Sequence, residues 1–170
     1  FCLQYILPMI KIIPEMIGVE NFLPFGDLIE ANADQRIDIN SGTCQRFNDL
    51  ATIDVGMDDG SPIVNIFRAK PYPRPLIIKM MEQHPLGSQL FMPLQVYDYL
   101  VVVAKPGEIT NEHIKIFQVK GNQGVNFHKG VWHHPLLVLS EQQDFFVLDR
   151  GGNDSNLIEI ALNEPLEVVI

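Results

Sequence analysis

Tyr99-Leu-Val-Val-Val-Ala104 carries the strongest strand signal in the chain. β-branched and aromatic residues fill it, and Lys105-Pro-Gly107 ends the Tyr97 to Ala104 run before it reaches helical length. Working outward, Gln89 to Pro93 precedes it as a strand and Ile114 to Val119 follows. A turn over Lys120 to Gly124 leads into Val125 to Phe127, and Leu136 to Leu139 and Asp144 to Leu148 read as further strands. Upstream, Ile63 to Arg68 alternates, with Val64, Ile66 and Arg68 on one face and Ile63, Asn65 and Phe67 on the other. Pro71, Pro73 and Pro75 forbid helix and form an extended connector. Leu76 to His84 reads as a strand, although Ile-Ile-Lys-Met-Met-Glu tolerates helix. Nearer the N-terminus, Met9 to Ile13 is a first strand, Pro14 to Leu23 a short helix, Asp27 to Glu30 an extended piece and Asn40-Ser-Gly42 a turn. Arg150-Gly-Gly152 is expected to end the regular structure. Many short strands, little helix and no internal repeat predict one all-β domain, a sandwich or a barrel.

Twelve basic against twenty-one acidic residues give a net charge of -9. With no Lys/Arg cluster, nucleic acid is excluded as the main partner, while a small anion needs only one or two placed cations. Cys2 and Cys44 have no metal-ligand spacing, which fits a reducing compartment and predicts a cytoplasmic protein. No apolar run reaches the roughly 20 residues of a spanning helix, so no membrane association is expected. Phe1 to Ile13 is apolar but lacks the basic start of a signal peptide. Met9 is a plausible start, leaving residues 1–8 as an extension of uncertain origin and 9–170 as the domain.

Two stretches carry chemistry. Gln123-Gly-Val-Asn-Phe-His128-Lys-Gly130-Val-Trp132-His133-His134-Pro135 holds three of the five histidines and the single tryptophan. Histidine titrates near neutrality, moves protons and ligates metals when neutral. Glu82-Gln-His84-Pro-Leu-Gly87-Ser-Gln89 lies upstream, and on an extended segment Glu82 and His84 point to one face. Gln89 can join them from the next strand, and Glu, His and Gln can all ligate a divalent metal. His134 is expected to face away from His133 unless a bulge re-aims it. Blander readings stand beside these: a strand histidine is commonly a hydrogen-bonded, half-buried residue, Trp132 a core residue, His113 a solvated loop residue and Arg68 a surface ion-pair member.

Glu82-x-His84-x-x-x-x-Gln89 resembles the first motif of the cupin superfamily, with Glu82 and Gln89 at positions usually held by histidine and glutamate. His128-Lys-Gly130-Val-Trp132-His133 resembles the second. Both stretches, with Asp144-Phe-Phe-Val-Leu-Asp149-Arg150-Gly-Gly152, Phe25-Gly-Asp-Leu-Ile-Glu30, Ile39-Asn-x-Gly42, Arg46-Phe47 and Ile66-x-Arg68-Ala69, resemble the ureidoglycolate lyase family. The resemblance implies a cupin-like antiparallel β-barrel or jelly roll with a few short helices, assembled as a homodimer. It implies cleavage of (S)-ureidoglycolate to glyoxylate and urea in allantoin breakdown, with nickel stimulating some members. Ser41, where the family tends to asparagine, and Gln95-Val-Tyr97, where a glycine is usual, depart from the pattern.

Cleaving this carbinolamide needs a base for the hydroxyl proton, an acid for the departing urea nitrogen and a cation for the carboxylate. His84, His128 and His133 are the catalytic candidates. Arg68 is the first choice for the carboxylate, being able to hold it bidentately, with Arg150 and Lys129 as rivals. Gln89 and Trp132 complete the substrate-binding set. A bound metal would take His84, Gln89 and His133, with Glu82 as a further ligand, and leave His128 for proton transfer. The rival functions are a metal-dependent oxygenase acting on another small acid and a sensor that binds one without turnover.

Overall fold

All six side chains of Tyr99–Ala104 are buried, so this strand lies between two cores. The computed structural model describes residues 9–153 and 155–170, and the expectation for residues 1–8 lies outside them. In chain order the strands are β1 (Ile10–Ile12), β2 (Glu15–Met16), β3 (Gly26–Ile29), β4 (Arg36–Ile39), β5 (Cys44–Phe47) and β6 (Ser61–Ala69). They continue with β7 (Leu76–Gln83), β8 (Gln89–Pro93), β9 (Tyr99–Ala104), β10 (Lys115–Val119) and β11 (Gly124–Phe127). The last are β12 (Trp132–His133), β13 (Leu137–Val138), β14 (Gln143–Gly151) and β15 (Ile158–Val168), and one α-helix, α1, spans Val19–Phe22.

The larger sheet runs β1-β15-β7-β12-β9-β10-β2, with β13 also on β9, and the smaller runs β3-β11-β8-β14-β6. Pairing is antiparallel except at the two borders of the larger sheet, where β1 on β15 and β2 on β10 are parallel. Tyr99, Val101 and Val103 point into one core with Phe91, Val125, Phe127, Phe145 and Val147 of the smaller sheet. Leu100, Val102 and Ala104 point the other way, into a second core with Leu76, Ile78, Met81, Trp132 and Leu166. The all-β, cupin-like expectation holds.

Three details differ from the sequence reading. Regular structure does not end at Gly152: β15 adds eleven residues along β7. Its alternation is obscured by Asn163-Glu164-Pro165, where the register shifts between Ala161 and Leu166. The helix expected over Pro14 to Leu23 shrinks to the single turn of α1, because Glu15 and Met16 are drawn into pairing with β10 and Gly18 is extended. The turn at Asn40 to Gly42 is present, and it joins β4 and β5 into a two-stranded sheet of their own.

That irregularity beside β7 positions the site. Core residues on β7 are two apart from Leu76 to Ile78 and then three apart to Met81. The phase of the strand changes opposite the register shift. Beyond it the even-numbered Glu82 turns toward the space between the sheets, as a bulge re-aims a side chain.

Candidate active site

Glu82 lies directly across from His133 in the pairing of β7 with β12, so the two share a face. His133 Nε2 is 3.4 Å and His84 Nε2 4.0 Å from Glu82 Oε1. One ligand atom from each of these three residues falls within 4.8 Å of the others. Local hydrogen bonds fix the tautomers of both rings. His84 Nδ1 lies 2.6 Å from the carbonyl oxygen of Asn156, and His133 Nδ1 lies 3.1 Å from that of Val131. A carbonyl only accepts, so Nδ1 carries the hydrogen and Nε2 of each neutral ring is a lone pair. Phe127 stacks on His133 with centroids 4.5 Å apart and the planes 10° from parallel, which holds the ring in place.

Gln89 reaches the same space from β8, where alternation puts it inward with Phe91. Its Nε2 donates to Asp149 Oδ2 at 3.0 Å. A carboxylate cannot donate, so Asp149 fixes the amide with Oε1 turned away from it. Asp149 is in turn held by the Arg150 amide, which donates to Oδ1 at 2.8 Å. His84 Nε2, His133 Nε2 and Gln89 Oε1 are all buried acceptors without a hydrogen bond from the protein. Bare acceptors of this kind cost about 1–3 kcal/mol each. His84 and His133 gather about Glu82, and His133 and Gln89 line one cavity, which marks a place for a ligand that brings donors or positive charge.

The space is a cavity of about 360 Å³ between the sheets, bounded by Phe67, Phe91, Phe127 and Leu136, with Glu82, Gln89, His133 and His134 as its polar wall. That volume suits a small molecule. Burial opposes ionisation of Glu82, but a hydrogen bond from His133 and the charges of His133, His84 and His134, present when those rings carry a second proton, outweigh it and hold its pKa below the ordinary 4.5. Burial also dominates at His134 and lowers its pKa below 6.5, against the smaller upward pull of the Pro135 carbonyl and Glu82. His134 Nδ1 donates to that carbonyl at 2.8 Å, so this ring too turns a neutral Nε2 outward from its bond.

Both downward shifts make the unfolded chain take up more protons than the folded one, so acid destabilises. His134's share of stability is complete above pH 6.5 and is lost as the pH falls from there toward its folded value, while Glu82's share fails only below 4.5. The melting temperature is expected to fall from pH 7 to pH 5, and His134→Asn, whose amide can still donate to Pro135, is expected to flatten that slope. An unchanged slope in thermal melts of the variant would remove His134 as its source.

Of the other expected residues Arg68 also lines the cavity, His84 touches it only through Glu82, and the rest lie elsewhere. His128 is half exposed on the far side of β11 and contacts Asp27 Oδ1 through Nε2 at 3.2 Å, outside the cavity lining. Trp132 points into the second core, where Nε1 donates to the Gly107 carbonyl at 2.8 Å, because its neighbour His133 takes the cavity face. It is not part of the cavity wall. Arg68 reaches only the rim. Its Nε and Nη2 donate to the two Asp144 oxygens at 2.8 and 2.9 Å, and this pairing holds the Asp144 carboxyl below its usual range. Arg150 is buried against the carbonyls of Met57 and Asp58, and Lys129 pairs with Asp54. His134 and Asp149 are the residues that the sequence reading left without a role. Asp149 continues the inward alternation Phe145, Val147, Asp149, and a carboxylate in line with two core residues was its signal. His134 joins the wall because β12 ends at His133 and Pro135 turns the chain.

With this geometry in view, comparison with known proteins is decisive. A sequence model of the family described as ureidoglycolate lyase matches residues 9–169. The chain belongs to the ureidoglycolate lyase family. It is 52% identical over 145 residues to a ureidoglycolate lyase of Burkholderia mallei (strain NCTC 10229), covering 85% of each chain. It is 48% identical over 156 residues to that of Burkholderia cepacia, covering 91% of this chain and 87% of the relative. For the ureidoglycolate lyase of Stutzerimonas stutzeri (strain A1501) the identity is 40% over 157 residues, 92% of each. These relatives span the strands that bring Glu82, Gln89 and His133 together.

Proposed function

We propose that this protein cleaves (S)-ureidoglycolate to glyoxylate and urea. The observation that carries the reading is a pair of bare acceptors, His133 Nε2 and Gln89 Oε1, beside the ionised Glu82 in the wall of a largely apolar cavity, with the bare His84 Nε2 4.0 Å from Glu82 Oε1. Ureidoglycolate brings the matching donors, one hydroxyl and the ureido N–H groups. Gln89 Oε1, oriented by Asp149, accepts from the ureido group and sets the C–N bond against the histidines. His134 takes the hydroxyl proton as the carbonyl of glyoxylate forms, the C–N electron pair leaves with urea, and the same proton is returned to that nitrogen. One neutral imidazole therefore serves as base and then acid, a contribution of about 10²–10⁴-fold. Phe67, Phe91 and Phe127 keep water from the developing charge.

Glu82, His84 and His133 also fit a divalent transition metal such as nickel, since two neutral imidazoles with backbone-held Nδ1–H groups and one carboxylate are a common donor set. A bound ion would polarise the substrate hydroxyl and ease loss of its proton. Gln89 Oε1 is the nearby neutral oxygen of that set. We place the protein in the cytoplasm as a homodimer acting in allantoin breakdown. No helix among the described residues is long and apolar enough to cross a membrane.

Racemic ureidoglycolate incubated with the protein is expected to yield equal glyoxylate and urea without ammonia, stopping near half consumption. Chelator treatment followed by added nickel reads the role of the metal. Product no faster than the spontaneous rate, with nickel present, would sink the lyase reading.

A further inference from the structure

The sheet formed by β4 and β5 stands apart from the two larger sheets. Among the described residues the two strands pair only with each other, across Arg36 to Phe47, Ile37 to Arg46, Asp38 to Gln45 and Ile39 to Cys44. An isolated two-stranded hairpin is marginal in water and gains stability only by packing on something. Its tip is tightly made, with Asn40, Ser41 and Gly42 all at positive φ and the Thr43 hydroxyl donating to the Asn40 carbonyl at 2.8 Å. Opposed residues share a face, so Ile37, Ile39, Cys44 and Arg46 line one side. Ile37 is 42% exposed there, and both Cys44 and Arg46 are exposed. Arg36 is paired with Asp38, whereas Arg46 has no ion-pair partner among the described residues.

The cavity has the complementary deficiency. Its substrate is an anion, yet among the described residues the one Lys or Arg in its lining is Arg68, whose charge is already paired with Asp144 through Nε and Nη2. The rim beside Arg68 is formed by the edge strand β6, which is unpaired on one side and exposes Val64 and Ile66. That leaves an apolar border and an open strand edge next to a cavity in need of a guanidinium. A four-residue hairpin extends about 14 Å from its base.

We propose that the β4–β5 hairpin docks on a second copy of this chain and that the partner subunit's Arg46 completes the cavity by binding the substrate carboxylate. The apolar face of the hairpin is covered by the β6 border of the other copy, and the two-fold exchange makes two shared sites per dimer. A planar guanidinium takes the carboxylate bidentately, which fixes its orientation as well as its charge. The inference rests on the lyase reading and extends it across two chains.

Complementation in defined heterodimers tests it. Arg46→Ala chains and His133→Ala chains, carrying different tags, are co-expressed, and heterodimers are purified through both tags. Each homodimer is expected to be impaired, Arg46→Ala chiefly through a raised KM for ureidoglycolate, with Arg46→Lys in between. In the heterodimer one site unites the intact cavity of one chain with the intact hairpin of the other, so about half the parent kcat per dimer is expected at a KM near the parent's. Heterodimers no better than the Arg46→Ala homodimer at low substrate, with an active parent, would overturn the shared site. So would a parent that sediments as an active monomer, or an Arg46→Ala protein with parental KM. A parent inactive on ureidoglycolate would instead defeat the lyase reading, and glyoxylate binding by calorimetry to the same three dimers would then judge the hairpin by itself, one site in the heterodimer supporting it and none overturning it.

Discussion

His133→Ala is expected to lower kcat by about 10²-fold while the protein remains folded, because the ring places substrate against His134. The side chain is 3% exposed in the cavity wall. It opposes Glu82 across the β7–β12 pair, stacks on Phe127 and offers a bare buried acceptor. Its loss removes a proposed metal ligand and the hydrogen bond and charge that do most to keep Glu82 ionised against burial, so the Glu82 pKa should rise and the acid limb of the rate profile should move to higher pH. The fold loses one bond to the Val131 carbonyl and a stacked ring, a cost of about 1–3 kcal/mol that a domain of this size survives. Steady-state rates against pH, metal content per chain and a thermal melt read all three effects. His128→Ala is the contrast, because that ring lies outside the cavity against Asp27. Near-normal kcat in His133→Ala would remove His133 from the mechanism, and an equally deep loss in His128→Ala would move proton transfer out of the cavity.

What could be read in the sequence followed from local periodicity. The Tyr99–Ala104 run and its flanking turns depend on residues near one another in the chain, and they stand as expected. Glu82 and His84 were legible as a pair because an extended segment gives them one face, although their aim depends on a change of phase that β15 imposes from eighty residues away. β15 itself was hidden because Asn163-Glu164-Pro165 breaks its alternation, and its pairing with β7 supplies the order that the local pattern lacks. Arg68 is more instructive. Its own alternation groups it with Val64 and Ile66, and both are exposed, so the phase that named the strand also put Arg68 on the outer face. Chemical need argued for a cation there, and geometry assigned that cation to Asp144. Trp132 and His133 show the same rule at its smallest scale: adjacent strand residues face opposite ways, and only one of them can reach the cavity.

Phe22→Ala is expected to produce the largest loss of stability. Phe22 is fully buried, yet it belongs to a helix of one turn that has little stability of its own. What holds the turn in place is the ring. It meets Phe25 at 6.1 Å, Phe117 edge-on at 5.7 Å and Phe127 at 6.3 Å between centroids. Truncation leaves a cavity that a two-sheet core cannot close, at a cost of about 3–5 kcal/mol. For a chain of this length that is a fall in melting temperature of roughly 6–20 °C. Val19→Ala, on the exposed side of the same turn, should stay within about 0.5 kcal/mol of the parent and separates helix propensity from core packing. The effect should also reach the chemistry. Phe127 lies between Phe22 and His133, so loosening its edge frees the ring that stacks on the imidazole, and kcat should fall well below the parent at temperatures where the variant is still folded. A melting temperature within about 2 °C of the parent would mean that Phe22 fills no shared core. A large thermal loss with unchanged kcat would mean instead that Phe127 is held by Phe91 and His133 alone, and that the site is insulated from the end of the barrel that α1 covers.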